Sequence, residues 1–281
     1  MITFPLADLP TRPKDGNKGT FGRILVLAGN KEMIGAPVMA GTAALRMGSG
    51  LVQIAVPKSI LSTALSITPE LIGLGLDCFS GSRLASACEK TDAIVIGPGL
   101  GQSAAAKRRV MQIVRYKKPM VVDADALNLI SHLRLWPIFF QASAVLTPHP
   151  GEMARLVRLF GKTNVPGDDE GRIEIAVQAA KIFNQVIVLK GFRTIVTDGI
   201  HTYMNESGDC SLAKAGTGDV LSGMIGTLLG QKMERFHAAC LAVYLHGRAG
   251  ELAGMKIGKR SVLAHEVVDA ISQAVLEHEM R

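Results

Sequence analysis

The sequence predicts an α/β fold with a mostly parallel sheet, and three observations carry that prediction. Short β-rich runs alternate with longer amphipathic runs along most of the 281 residues, the rhythm of repeated β-α units. Hydrophobic residues make up 48% of the chain but aromatic ones only 5%, so Ala, Val, Ile and Leu must fill the core, as in sheets covered by helices. The rhythm breaks once, at Asp198-Gly199, a strong hairpin signal that predicts an antiparallel edge.

The elements follow in order. Arg23–Ala28 is the first strand, and Ala36–Met47 the first helix. Strands Leu51–Val56 and Ala93–Gly97 precede a helix over Ser103–Tyr116, and strand Met120–Asp123 leads to strand Ala144–Thr147 and helix Gly151–Phe160. Helix Gly171–Asn184 feeds strand Val186–Lys190. Each of these strands closes on a Gly, Pro, Asp or Lys, which marks its end. The hairpin arms are Thr194–Thr197 and Ile200–Met204. Asp219–Gly230 is apolar nearly all round and rich in small residues, the pattern of a helix buried mid-fold; helices Arg235–Ala253 and Ser261–Glu277 complete the chain. With no repeat, low-complexity tract or long linker, residues 1–281 are expected to form one domain.

Composition excludes several classes of function. The net charge of +7 favours anionic partners, but the densest basic patches, Lys107-Arg108-Arg109 and Arg115–Lys118, carry no interleaved stacking aromatics and read as solvated helix faces, not a nucleic-acid surface. Cys78, Cys88, Cys210 and Cys240 form no CxxC pair and have no histidine pair at zinc-ligand spacing, which suits a reducing interior. Met1–Lys18 lacks the basic start and apolar stretch of a signal peptide. Arg46, Gln53 and glycines interrupt the long weakly charged stretch Met33–Pro57, which is a poor membrane span. A cytoplasmic protein without membrane attachment is expected.

In parallel sheets ligands gather where strands end, and the chemistry-bearing residues sit there. Ala213–Gly223 runs AKAGTGDVLSG: a flexible turn enters a buried helix, whose first amides and positive dipole end make an anion site. Asp219 at its mouth reads either as a helix cap or as a base that takes a proton from a substrate hydroxyl during phosphoryl transfer. A carboxylate beside phosphate calls for magnesium or a lysine, with Lys190 and Lys214 the candidates. GPGLG at Gly97–Gly101 is a tight turn that a flat ligand can approach, and it lacks the dinucleotide register. In Thr147–Glu152 two prolines fix His149, while Glu152 either serves the following helix or holds a hydrated magnesium ion. Asp123-Ala124-Asp125 places two acids at a strand end, with capping by Asp125 the competing role. Lys190–Thr194 can cradle a nucleotide phosphate or sugar. His132, His201, His237, His246, His265 and His278 are read as structural or solvated, without acid partners at useful spacing.

Together these motifs resemble the ADP-dependent NAD(P)H-hydrate dehydratases over nearly the whole chain. The resemblance rests on Gly19–Arg23, Gly35–Pro37, Ala43–Gly50, GPGLG at 97–101, DADALN at 123–128, TPHPGE at 147–152, LKG at 189–191 and GTGDVLSG at 216–223. It implies a ribokinase-like three-layer α/β/α sandwich that restores NADH or NADPH from the S-epimer hydrate, with ADP as co-substrate and AMP and phosphate as products. By the same resemblance Asp219 is the base; Ala36, Gly101, His149 and Asp219 contact the hydrated dinucleotide; and Lys190, Gly191, Phe192, Arg193, Thr194 and Gly218 contact the nucleotide. Mg2+ and a homo-oligomer are implied as well. The chain departs from the family pattern at Ala215 and at Glu206–Leu212, which bears on the shape of the phosphate loop. About two dozen residues precede the first strand, fewer than a domain needs, so no fused epimerase domain is expected and a separate epimerase would supply the other half of the repair. Two other readings are a ribokinase-like vitamin-precursor kinase using the same Asp, and a non-catalytic regulator that binds adenine nucleotides.

Overall fold

The computed structural model describes residues 5–77, 80–133 and 136–280, so Cys78 lies outside the described residues. Among them, nine strands form one sheet: β1 (Arg23–Leu27), β2 (Leu51–Pro57), β3 (Ile72–Leu76), β4 (Ala93–Ile96), β5 (Pro119–Val122), β6 (Ser143–Leu146), β7 (Val186–Leu189), β8 (Ile195–Thr197) and β9 (Thr202–Met204). Their order is β3-β2-β1-β4-β5-β6-β7-β8-β9. Strands β1 to β7 pair parallel, and β8 and β9 add the antiparallel edge. The order reverses between β1 and β4, which opens a crevice at their carboxyl ends.

Alternation along the strands sorts the core into two layers. Val26, Val95, Val121, Val145 and Val188 face one side, where helices α1 (Gly35–Arg46), α9 (Thr217–Gly230), α10 (Arg235–Ile257) and α11 (Ala264–Glu279) pack. Leu27, Ile96, Met120, Leu146 and Leu189 face the other, covered by α3 (Gly81–Lys90), α4 (Ala104–Ile113), α5 (Ala124–Ser131), α7 (Pro150–Leu156) and α8 (Asp169–Phe183). On the valine face α9 packs closely against the sheet, where a Cβ on Gly226 would meet Val95, and against α1. A Cβ on Gly223 would collide with the carbonyl oxygen of Ala40. That crossing is further tied by Thr227, whose hydroxyl donates to Ala44 O at 3.0 Å and accepts from Ser49 Oγ at 2.9 Å.

The expected strands and helices all form, with ends moved by a residue or a few. The sequence reading missed strand β3 and the helices around it, and also helices α5 and α6 (Trp136–Phe139) between β5 and β6. The β3 run IGLGL looks like a turn, yet Gly73 and Gly75 leave room for Leu61 and Leu65 of α2 (Leu61–Ile67) to lie against the strand. The second hairpin arm starts only at Thr202, because Asp198 Oδ1 accepts from the N–H groups of Ile200 and His201 and keeps both in the turn. Lys107 and Arg108 of α4 are exposed, as a solvated face requires. No helix among the described residues is long and apolar enough to cross a membrane.

Gly223→Ala places its methyl against backbone that cannot rotate away, so it is expected to destabilise the protein by on the order of 2–4 kcal/mol. Urea unfolding measures this, and a wild-type midpoint would show that α1 and α9 can separate.

Candidate active site

Helix α9 presents its first turn to the crevice. Gly216, at φ +92°, precedes it in the left-handed region, and the Thr217 hydroxyl donates to Leu212 O at 2.8 Å and Lys214 O at 2.9 Å, which closes the loop beneath. The helix begins at Thr217, so Asp219 is its third residue and not its cap. Among the described residues its half-buried carboxylate has no hydrogen-bond partner. The N–H groups of Gly218 and Asp219 have no backbone acceptor among the described residues and are the free amides of this turn. Burial first, then the charges of Asp123 and Asp125, push Asp219 up to about 7 against the opposing pull of Lys190.

The ends of strands β4 to β7 carry the residues around Asp219 and Lys190. After β4, the turn Gly97–Gly101 needs its glycines: a Cβ on Gly97, at φ +122°, would collide with the carbonyl of Asp123. Gly99 faces Ala36 at the start of α1, and the Gly101 N–H donates to Asp125 Oδ2 at 2.8 Å. After β5, Asp123 caps α5 by accepting from Ala124 N–H at 2.8 Å, so the capping role expected of Asp125 belongs to Asp123. After β6, His149 caps α7: its Nδ1 accepts from Gly151 N–H at 3.0 Å, and its own N–H donates to Glu152 Oε2 at 2.8 Å. Burial, Lys190 and Arg155 lower the His149 pKa. Because Nδ1 accepts, Nε2 is the ring nitrogen free to donate, and it lies 3.4 Å from Glu152 Oε1.

Lys190, after β7, stands at the centre. Its Nζ is 2.7 Å from Asp123 Oδ1 and 4.0 Å from Glu152 Oε2. Burial alone would drive the ammonium's pKa down, but Asp123 and Glu152 hold it above the usual lysine value. Burial raises the Glu152 carboxyl, although Lys190 opposes this. Lys214, the other candidate cation, is exposed and its amine has no partner among the described residues.

Beyond Lys190 lies a cleft of about 700 Å³. Lys190–Thr194 form one wall and Gly218 part of the floor. The turn is braced from behind: Arg172 donates to Phe192 O at 2.8 Å, Arg193 pairs with Asp169 at 2.9 Å, and the Thr194 hydroxyl donates to Gly191 O. The structure thus brings Asp219, Gly218 and Lys190 together, with Gly101 and Ala36 on the β4 side and His149 near Lys190 through Glu152.

Sequence reasoning missed the opposite wall, residues 205–210 and His246. The segment 206–212 was visible only as a departure from pattern. Here Asp209 caps a short 3-10 turn by accepting from Ser211 N–H at 2.9 Å, pairs with Lys259 at 2.9 Å, and so shapes the loop with its own residues. His246 looks like any histidine in an apolar helix, yet burial drives it down to about 4 and its Nε2 is buried without a partner. Acid partners also exist where none were expected: His201 pairs with Asp198, His237 with Glu234 and His265 with Glu266.

The family model of NAD(P)H-hydrate dehydratase matches residues 24–273. The chain belongs to this family. It is 35% identical over 269 residues to the ADP-dependent (S)-NAD(P)H-hydrate dehydratase of Bacillus subtilis, covering 94% of this chain and 93% of that one. It is 38% identical to the bifunctional NAD(P)H-hydrate repair enzyme of Moorella thermoacetica, over 94% of this chain but 51% of that protein. The chain therefore spans about half the length of the bifunctional relatives. The crystal structure of the Bacillus subtilis ADP/ATP-dependent NAD(P)H-hydrate dehydratase co-crystallised with ATP/Mg2+ superposes with a TM-score of 0.80 at 30% identity, covering 97% and 95% of the two chains. A ribokinase-like superfamily protein from Enterococcus faecalis gives 0.80 at 26% identity, covering 97% and 93%. The dehydratase fold expected from the sequence, ribokinase-like and mostly parallel with an antiparallel edge, is the one observed.

The raised Asp219 has a consequence for stability. The folded state binds its proton more tightly than the unfolded chain does, so this group lowers stability as pH climbs from the ordinary carboxylate range through about 7. Asp219→Asn is expected to be more stable than wild type near about pH 8 by on the order of 1–3 kcal/mol, with the difference shrinking toward about pH 4. Urea denaturation at both pH values checks this, and a pH-independent difference would contradict it.

Proposed function

We propose that this protein dehydrates the S epimer of hydrated NADH or NADPH at the expense of ADP. One observation carries the reading: Asp219, in the first turn of α9 next to the cleft residue Gly218, has a carboxylate without a hydrogen-bond partner among the described residues, pushed up to about 7 chiefly by burial. A base poised there can take a hydroxyl proton at physiological pH.

Lys190, Gly191, Phe192, Arg193, Thr194 and Gly218 hold the adenine nucleotide in the cleft. Ala36, Gly101 and His149 hold the hydrated dinucleotide. Asp219 takes the proton of the ring hydroxyl, whose oxygen forms a bond to the terminal phosphorus of ADP while the bond to the leaving AMP oxygen breaks. The first-turn amides and the Lys190 ammonium stabilise the negative charge carried on the phosphoryl oxygens. The ring C–O bond then breaks as phosphate departs, a ring proton is lost and the double bond returns. ADP and the hydrate become AMP, phosphate and the reduced cofactor. Poor leaving ability of hydroxide is the obstacle, and phosphorylation removes it.

Magnesium is part of the proposal only as an ion borne on the nucleotide. Among the described residues no three metal-ligating side chains cluster, and Asp123, Asp125 and Glu152 already accept hydrogen bonds from the protein. Such residues fit an ion held by phosphate oxygens and water. The free thiols of Cys88, Cys210 and Cys240 support a cytoplasmic setting. The exposed apolar residues Met255 and Leu263, near the α10–α11 junction, support a homo-oligomer. Turnover of one epimer also calls for an epimerase that supplies it.

Absorbance in the reduced-nicotinamide band is expected to rise when hydrated cofactor and ADP are both present and to stay flat without nucleotide. A phosphorylated product that persists would point to a kinase instead, and nucleotide binding without turnover to a regulator. Asp219→Asn is expected to lower kcat by roughly 10²–10⁴-fold while ADP still binds. Because the base acts unprotonated, wild-type kcat/KM is expected to fall on the acid side with a midpoint near the Asp219 value of about 7; a flat profile through that region would assign the proton to another group.

A further inference from the structure

Asp123 caps α5 and pairs with Lys190, and it is built for more than a cap. Its side chain is 1% exposed. One oxygen accepts from Ala124 N–H at 2.8 Å and from Lys190 Nζ at 2.7 Å, and the other accepts from Ser222 Oγ at 2.7 Å. Those donors come from three different elements: the start of α5, the end of β7, and α9 one turn beyond Asp219. An exposed Ser or Asn would cap a helix as well, whereas burying a carboxylate is costly unless a cation and further donors satisfy it. The backbone is also strained to place it. Ala124 has φ +49°, a conformation that disfavours a non-glycine residue, and it lets Asp123 point inward while Asp125 reaches the N–H of Gly101.

We infer that Asp123 is a positioning residue for the reaction: through Lys190 and Ser222 it fixes the cation of the nucleotide cleft and the first turns of α9 relative to one another. Removing it would free Lys190 to swing toward Glu152 at 4.0 Å, away from the boundary it shares with Gly218. Its charge has a second effect, on Asp219. The groups facing Asp219 are Asp123 from the β5–α5 junction, Asp125 from α5 and Lys190 from the end of β7. Asp123 is the stronger of the two acids that keep the proton on Asp219, and Lys190 opposes them. One buried carboxylate therefore acts on both where the base stands and when it is free to act. The inference rests on the reading of Asp219 as the proton acceptor.

The test combines turnover with a direct titration of Asp219 by carboxyl 13C NMR in protein free of substrate. Asp123→Asn keeps the shape and removes the charge. It is expected to lower kcat per folded molecule at least roughly tenfold and to move the Asp219 midpoint down by roughly one pH unit. A purely structural role would reduce the folded fraction and leave that midpoint in place. Either a wild-type midpoint or a wild-type kcat per folded molecule overturns the inference. Should Asp123→Asn not fold, Ser222→Ala decides: it removes one tie without removing charge, and is expected to lower kcat roughly three- to tenfold with the Asp219 midpoint unmoved. Wild-type kcat in Ser222→Ala then overturns the inference. If wild-type protein shows no dehydration at all, the functional reading has failed, and the NMR midpoint in Asp123→Asn alone decides whether Asp123 governs Asp219.

Discussion

A carboxylate held half out of water, at the positive end of a helix that cannot move, is the constraint on which the site depends. Burial and the charges of Asp123 and Asp125 favour the protonated form of Asp219 and the Lys190 ammonium favours the ionised one; the balance leaves its proton affinity near neutrality. That balance is a property of position. It needs α9 pressed against α1 and the sheet, which Gly223 permits, and it needs the strand ends of β4, β5 and β7 to converge on the same turn. Packing in the valine layer and proton chemistry at the crevice are in this sense one design: the small residues that seat the helix also set the environment of its third residue.

The division of labour around Asp219 follows from topology. The switch between β1 and β4 opens the crevice on one side, where a tight glycine turn allows a flat ring to approach. The departure of β8 from the parallel order opens the other, where Lys190–Thr194 turn away to form the cleft wall. Lys190 stands between the two, and its ammonium is the charge that both sides share. Three acids near the half-buried Lys190 leave an excess of negative charge that invites protonation of the least satisfied member, and Asp219, alone among them in lacking a hydrogen-bond donor among the described residues, is that member.

Much of this was legible in the sequence because the period-two valine and leucine runs, the Asp198-Gly199 turn and the apolar α9 each state their structure locally. Strand β3 was not, since Gly73 and Gly75 erase the β signal while their real purpose, admitting Leu61 and Leu65, depends on a helix elsewhere in the chain. At the site, motif residues at strand ends could be nominated by position alone, and the structure does gather Asp219, Gly218 and Lys190. What no local pattern revealed were relations across the fold. Asp123 and not Asp125 is the cap, because Gly101 claims Asp125; His246 becomes a cleft wall only when α10 packs beside α9; and residues 205–210 acquire meaning only opposite Lys190–Thr194. Lys214, closer to Asp219 in sequence than Lys190, points to solvent.

In the proposed reaction the ring hydroxyl, relieved of its proton by Asp219, becomes the nucleophile toward phosphorus before it leaves the ring. Hydrated cofactor carrying 18O in that hydroxyl reports on this step. The label is expected in inorganic phosphate after turnover with ADP. Label recovered in water, with unlabelled phosphate, would mean that the hydroxyl departs without ever being phosphorylated and would rule the step out.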